Sequence, residues 1–327
     1  MSAINKAILL VGGKGTRLMP LTTKTPKPML KIAGAPVTEH QIIKAREAGI
    51  SEIVLATSYL ADVFEPHFGD GSRFGIKIQY AFESEPLGTG GAIANAAQYL
   101  NLADGESLFI FNGDVLSSHD LAKQSELHLR SNAQVTLHLV EVQDARAYGC
   151  VPIDSQGRVL EFLEKMENPI ARTINAGCYI FDSRALAKIP LGVVTSVERE
   201  TFPGLLSEKQ DIYGYVDGGY WIDMGTPESM IRASRDLVSN PSISKATPPV
   251  TQGALMMGEV NIHPSAQVGV GSYLEPGVVI EANSRVNGSI IGEKAHVESD
   301  VFIENSYIAP GTRVVSGSML RGEIFGF

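Results

Sequence analysis

The sequence predicts an α/β protein: a mostly parallel sheet covered by helices on both faces, followed by a parallel β-helix. Three observations predict it. Short apolar runs alternate with helix-period segments through the first two thirds of the chain, a proline-rich stretch then breaks the pattern, and beyond it aliphatic residues recur every six positions.

The strands come first. "KAILLV", "EIVLATS", "IKIQYAF", "SLFIFNGD", "VTLHLVEV" and "INAGCYIF" are short apolar runs rich in branched and aromatic residues, bounded by glycines or polar clusters. Between them, residues 37–48, 90–100 and 121–130 carry helical periodicity. Strands alternating with helices give a parallel sheet, and ligands bind outside the carboxyl ends of such strands. The residues found there are "GGKGTR", "ESEPLGTGG", "NGD" and "MGTPE", rich in glycine and carboxylates. "SNPSISKATPPVTQG" then reads as a linker, which sets the expected boundaries: residues 1–240, a linker at 241–253, and residues 254–327. In the last part Ile262, Val268, Leu274, Ile280, Val286, Ile291, Val297, Ile303, Ile308 and Val314 stand at steps of six, with two steps of five. That is the hexapeptide signature of a β-helix whose aliphatics point inward. Such a stack leaves its end coils exposed, so homo-oligomerisation through this domain is expected.

Composition excludes several functions. The 327 residues are 44% hydrophobic and 19% charged, which suits two domains with large cores. With a formal net charge of -9 there is no broad basic surface, so neither a nucleic acid nor an anionic membrane is expected as partner. Cys150 and Cys178, the only cysteines, are too few for a disulfide framework or a thiolate cage. The first apolar run is too short for a signal peptide, and no stretch approaches the roughly 20 apolar residues of a membrane span. A cytoplasmic protein is expected. The seven histidines have no ligand-like spacing, and Ser117, Ser118 and His119 lack the acid and the nucleophile elbow of a triad.

The first loop carries the chemistry. Gly12, Gly13 and Gly15 let the backbone turn sharply and bring amides close to a phosphate. The spacing fits neither a Walker loop, since no Gly-Lys-Ser/Thr stands near Gly12, nor the dinucleotide fingerprint, since Leu18 replaces its third glycine. What fits is a longer pattern, G-G-x-G-T-R-L-x-P-L-T at residues 12–22 followed by P-K-P at 26–28, which resembles the sugar-1-phosphate nucleotidylyltransferases. Arg17 offers a fork of donors for phosphate oxygens, and Lys27, between Pro26 and Pro28, is a point charge on a restricted backbone.

That resemblance covers nearly the whole chain and implies a Rossmann-like sheet, a left-handed β-helix and a set of roles. Gly12, Gly13, Gly15, Thr16 and Gly88 would hold the nucleotide, with Arg17 and Lys27 as the catalytic cations. Asp114 in "FNGD" and Asp223 in "YWIDMGTPE" would hold Mg²⁺. Gly149 and Asn175 would meet the sugar, Glu164 its hydroxyls and Lys165 its phosphate, although Met166 stands where most relatives have proline. The family reads the base at the position of Glu83, with Glu85 as a nearby substitute. A glutamate there accepts both N–H donors of guanine and repels uracil or thymine, which favours GTP. "PLGTGG", "FNGDVL", "YGC", "INAGCYIF" and "SVERETFP" look most like the mannose-1-phosphate guanylyltransferases. The implied reaction is attack of a hexose 1-phosphate on the α-phosphorus of GTP, without a general base, because the sugar phosphate is already mostly dianionic. A glucose- or heptose-1-phosphate enzyme using another nucleotide, a noncatalytic sugar-nucleotide-binding homologue and, more remotely, an acyltransferase using His263 or His296 are the alternatives.

Overall fold

The computed structural model describes residues 4–58, 60–163 and 165–327. The chain forms two compact units, Met1–Lys14 with Gln41–Trp221 and Gly15–His40 with Ile222–Phe327.

In the first unit, the described residues form a seven-stranded sheet from β1 (Lys6–Leu10), β2 (Glu52–Thr57), β3 (Lys77–Phe82), β4 (Ser107–Asn112), β5 (Val135–Glu141), β6 (Thr173–Asp182) and β7 (Ile212–Val216). Its order is β7-β5-β6-β4-β1-β2-β3. β6 runs antiparallel to both neighbours; every other strand points the same way. All six expected strands are present. The seventh, β7, was not read from the sequence.

Both faces of the sheet are buried. Ile8, Val54 and Ile110 share one apolar cluster with Ile93 and Ala96 of helix α2 (Gly88–Ala97; α1 is Val37–Glu47) and with Phe202 and Leu205. Their alternating neighbours Leu9, Ile53, Leu55 and Phe109 are also at most 1% exposed. Burial on both sides explains why these strands read as continuous apolar runs rather than as alternation.

Helix α3 (Leu121–Ser131) starts and stops on visible signals. The Asp120 carboxylate accepts from the amides of Ala122 (3.0 Å) and Lys123 (3.1 Å), and Asn132 ends the helix with φ +49°. Helix α2 begins at Gly88, two residues before the periodicity suggested. Its first amides are capped by a backbone carbonyl from a distant segment: Gly90 N–H donates to Thr195 O at 2.8 Å.

In the second unit three parallel sheets form the β-helix, with five, four and four strands between Leu255 and Phe325. Leu274, Ile280 and Val286 of one coil pair in register with Ile291, Val297 and Ile303 of the next, and Ile291 and Val297 with Ile308 and Val314. All ten aliphatics of the repeat belong to one core, eight fully buried and Ile262 and Val268 partly so. The five-residue steps, 286 to 291 and 303 to 308, leave this stacking intact. Residues 241–253 also pack within this unit: Ser244 Oγ lies 2.7 Å from His40 Nδ1, and a Cβ on Gly34 would sit 3.0 Å from Pro248.

Candidate active site

In the first unit the carboxyl ends of β1, β2 and β3 open into a cavity of about 210 Å³, lined by Leu10, Gly12, Gly13, Ala56, Ser58, Glu83, Pro86, Gly88, Thr89 and Ala92. Four residues that the sequence assigns to nucleotide binding, Gly12, Gly13, Glu83 and Gly88, are thus brought together. The volume lies below the about 300–1,000 Å³ that encloses a whole drug-sized ligand, so it matches a base rather than a complete nucleotide.

Glu83 is the charged residue lining this cavity. Its Oε2 accepts weakly from the Leu87 amide at 3.3 Å, while Oε1 is buried and has no hydrogen-bond partner among the described residues. Burial raises the carboxyl pKa above the ordinary value, and the Leu87 bond only partly opposes this. A buried, unsatisfied carboxylate oxygen is costly unless a ligand supplies its donors. Glu85 is exposed and does not line the cavity.

The glycines of "PLGTGG" are needed for a reason the sequence did not reveal. Gly88 has φ +72°, and a Cβ there would lie 2.6 Å from Thr195 O. The segment 193–197 presses directly on the start of α2: Thr195 N–H donates to Leu87 O (2.9 Å), and Val197 N–H to Thr89 Oγ1 (2.9 Å). Thr89 in turn donates to Glu198 Oε2 at 2.9 Å. Glu198 lies in a π-helical turn, Val197–Thr201. Such turns are rare and cluster at functional sites. Ser58, Thr89 and Glu198 are the polar groups that the sequence reading missed here; the pattern held no periodicity that could have singled them out.

The sugar-phosphate candidates stand beside β5 and β6 of the same sheet, where Asn175 pairs with Leu139 near the carboxyl end of β5. Gly149 is buried at a turn with φ +77°, its amide bonded to Ala145 O at 3.1 Å. Cys150 pairs with Leu163 through two 3.0 Å backbone bonds, so residue 149 is held next to residue 163. Glu164 lies outside the described residues. Lys165 is exposed, and Met166, the departure from proline, packs on the cluster of Val140, Ala145, Cys150, Ile174 and Ala176. Asn175 is anchored inside the protein: its Nδ2 donates to the Tyr179 hydroxyl (2.8 Å) and its Oδ1 accepts from the Gly177 amide (3.0 Å). One amide hydrogen and one lone pair remain for a ligand. Trp221 donates to Ala176 O at 3.0 Å and meets Tyr148 edge-on at 5.6 Å, which adds an aromatic wall.

Arg17 and Lys27, the cations expected to be catalytic, belong to the second unit. Gly15, in the left-handed region, starts a short 3₁₀ turn at Thr16–Leu18, and Thr22 Oγ1 donates to its carbonyl at 2.9 Å. Thr16 and Arg17 are exposed. The guanidinium of Arg17 occupies the space that a side chain at Gly225 would take, 3.1 Å from that Cβ position. Lys27 is only 12% exposed, and its Nζ lies 3.8 Å from Asp223 Oδ1. A merely solvated surface cation is therefore excluded for Lys27. Nor is Asp223 used as a helix cap. Helix α4 (Pro227–Ser239) is closed by a capping box in which Thr226 Oγ1 accepts from Ser229 N–H (3.2 Å) and Ser229 Oγ from Thr226 N–H (3.0 Å).

Asp114 stands in the turn directly after β4, and both it and Asp223 are half-buried. Carboxylate oxygens that keep some exposure suit Mg²⁺, which takes one or two carboxylates and completes its shell with water and phosphate. Among the described residues no group of three or more His, Cys, Asp and Glu side chains that could hold a metal ion stands together.

Comparison with known proteins identifies the family. Residues 6–240 match the family model of the nucleotidyl transferases. A mannose-1-phosphate guanylyltransferase of Mycobacterium tuberculosis is 46% identical over 316 residues, 96% of this chain and 82% of its own length. Mannose-1-phosphate guanylyltransferase 1 of Arabidopsis thaliana is 34% identical, covering 98% of this chain and 86% of its own. Among solved structures, HddC from Yersinia pseudotuberculosis is 30% identical with a TM-score of 0.62; the match covers 72% of this chain and all of that one. HddC has also been crystallised in complex with GMP-PN. No described helix is long and apolar enough to cross a membrane. The chain belongs to the nucleotidyl transferase family.

Proposed function

We propose that this protein forms GDP-mannose and pyrophosphate from GTP and mannose 1-phosphate, with residues 1–240 carrying the chemistry. The observation that carries the choice of base is Glu83 Oε1, a buried acceptor with no donor in a cavity of base size. Guanine presents two adjacent N–H donors to such a carboxylate. The relatives named above, and the nucleotide complex of HddC, support the same choice.

In this reading a phosphate oxygen of the sugar phosphate attacks the α-phosphorus, a new P–O bond forms, and the α–β bridge breaks in line as pyrophosphate leaves. No proton need move. The protein's part is alignment and charge cancellation. Arg17 braces the pyrophosphate end, Lys27 the reacting phosphate, and Lys165 the incoming sugar phosphate, while Gly149, Asn175 and Glu164 fix the sugar. Gly15 and Thr16 shape the phosphate loop. Asp114 and Asp223 would hold Mg²⁺, which would supply charge neutralisation at the phosphates.

The exposed last coil of the β-helix, with Met319 69% and Phe327 66% exposed, supports self-association through this domain; a strict monomer by sedimentation at micromolar concentration would exclude it. Product analysis tests the activity itself. Incubation with GTP, mannose 1-phosphate and Mg²⁺ is expected to yield GDP-mannose, and the absence of any nucleotide sugar from every substrate pair would instead indicate a regulatory binding protein.

A further inference from the structure

Asp114 sits on a turn of only two residues, Gly113 and Asp114, between β4 and the short strand Val115–Ser117. A carboxylate on so short a turn is placed by whatever holds the two flanking peptides. Helix α1 holds both. Gln41, 8% exposed, directs its amide nitrogen at the carbonyls on either side of the turn, donating to Asn112 O at 2.8 Å and to Val115 O at 2.7 Å. The third restraint is backbone: Gly113 N–H donates to Leu10 O at 2.9 Å. One helical turn further along α1, Lys44 Nζ lies 2.9 Å from His119 Nδ1, and Ser117 Oγ lies 2.8 Å from the same nitrogen. The other ring nitrogen of His119 lies 2.9 Å from Gln124 Oε1. Residues 41 and 44 share one face of the helix, so α1 grips the segment 112–119 at both its ends.

We infer that Gln41 is a positioning residue for Asp114: by bridging the carbonyls of Asn112 and Val115 it sets where the Asp114 carboxylate stands, and so sets the affinity for a divalent cation. The inference rests on the reading of Asp114 as a metal ligand. Only a side chain with two hydrogens on one planar nitrogen, at this length, serves both carbonyls. Methionine matches the length without donors, and asparagine withdraws the amide by one methylene. Outer groups that orient metal ligands typically contribute ten- to hundredfold to metal affinity.

The test measures Mn²⁺ binding to the full-length protein from the electron paramagnetic resonance signal of free Mn²⁺, alongside the free Mg²⁺ needed for half-maximal pyrophosphate release. Gln41→Met is expected to weaken Mn²⁺ binding and raise the Mg²⁺ requirement by ten- to hundredfold, with the KM for sugar phosphate changed less than twofold. Gln41→Asn should show the same direction and keeps the experiment decisive if the methionine variant does not fold. Asp114→Asn separates the two layers of the argument. If it leaves Mn²⁺ binding unchanged, the metal reading of Asp114 fails; if it weakens binding while the folded Gln41 variants bind Mn²⁺ like the parent, the positioning role is overturned.

Discussion

Glu83→Gln separates binding from stability. In the free protein the Glu83 carboxylate is half-buried, Oε1 has no donor, and burial raises its pKa. Glutamine keeps an oxygen for the Leu87 amide and removes the buried charge, so folding stability should change by no more than about 1 kcal/mol. Bound guanine meets a different surface. The glutamine oxygen accepts one of its two N–H groups, while the amide NH₂ confronts the other with a second donor. Losing one hydrogen bond to a charged group costs about 1.5–3 kcal/mol, which is roughly a ten- to hundredfold rise in the KM for GTP. The assay is initial rate of pyrophosphate release against GTP concentration, paired with urea denaturation. Glu85→Gln is the control, since that side chain is exposed and away from the cavity, and it should leave both measurements unchanged. The same logic sets a pH dependence: because the Glu83 pKa is raised, the parent should lose GTP affinity on acidification at a higher pH than an ordinary glutamate would give. GTP selectivity that survives Glu83→Gln would refute the reasoning.

Gly88→Ala must adopt φ near +72° and place its Cβ 2.6 Å from Thr195 O. The left-handed conformation alone costs about 1–2 kcal/mol, and displacement of the Thr195 carbonyl should bring the total to about 2–3 kcal/mol in denaturation together with a raised KM for GTP. Arg17→Ala should lower kcat by about a hundredfold or more, the usual effect of removing one donor to developing charge, with unchanged stability; an unchanged rate would remove Arg17 from the mechanism. Stability itself should fall in acid. Burial holds His138 to a pKa of about 3 and His128 to about 4, both below the unfolded value, so their neutral forms favour folding fully above about pH 6.5 and that contribution is lost as pH falls towards the folded values. At pH 5 each should cost about 2 kcal/mol relative to pH 7.5, and urea midpoints at the two pH values check it.

The elements legible in the sequence are those in which a side chain's environment repeats. The hexapeptide aliphatics were readable because each stacks on its counterpart one coil away, and the six strands because both faces of the sheet are buried. β7 escaped because glycine interrupts its short run, "IYGYV"; a Cβ on Gly214 would clash with Leu139 Cδ1 of β5, so close packing requires the glycine. The start of α2 was hidden since its cap is the Thr195 carbonyl, more than a hundred residues away. At the candidate site, residue types and motif spacing singled out Glu83, Arg17, Lys27, Asp114 and Asp223. The resemblance put Glu83 ahead of Glu85 as the base reader, and burial now separates the two. Residue types and spacing did not reveal Gln41 or Glu198, whose roles depend on long-range contacts with a turn and a helix start.

The most direct test of the account is substrate choice. Initial rates of pyrophosphate release should be measured with Mg²⁺ for mannose 1-phosphate and glucose 1-phosphate, each paired with GTP, ATP, UTP and dTTP. The account predicts the highest kcat/KM for GTP with mannose 1-phosphate, and a preference for UTP or dTTP would contradict the assignment of Glu83 as the reader of guanine.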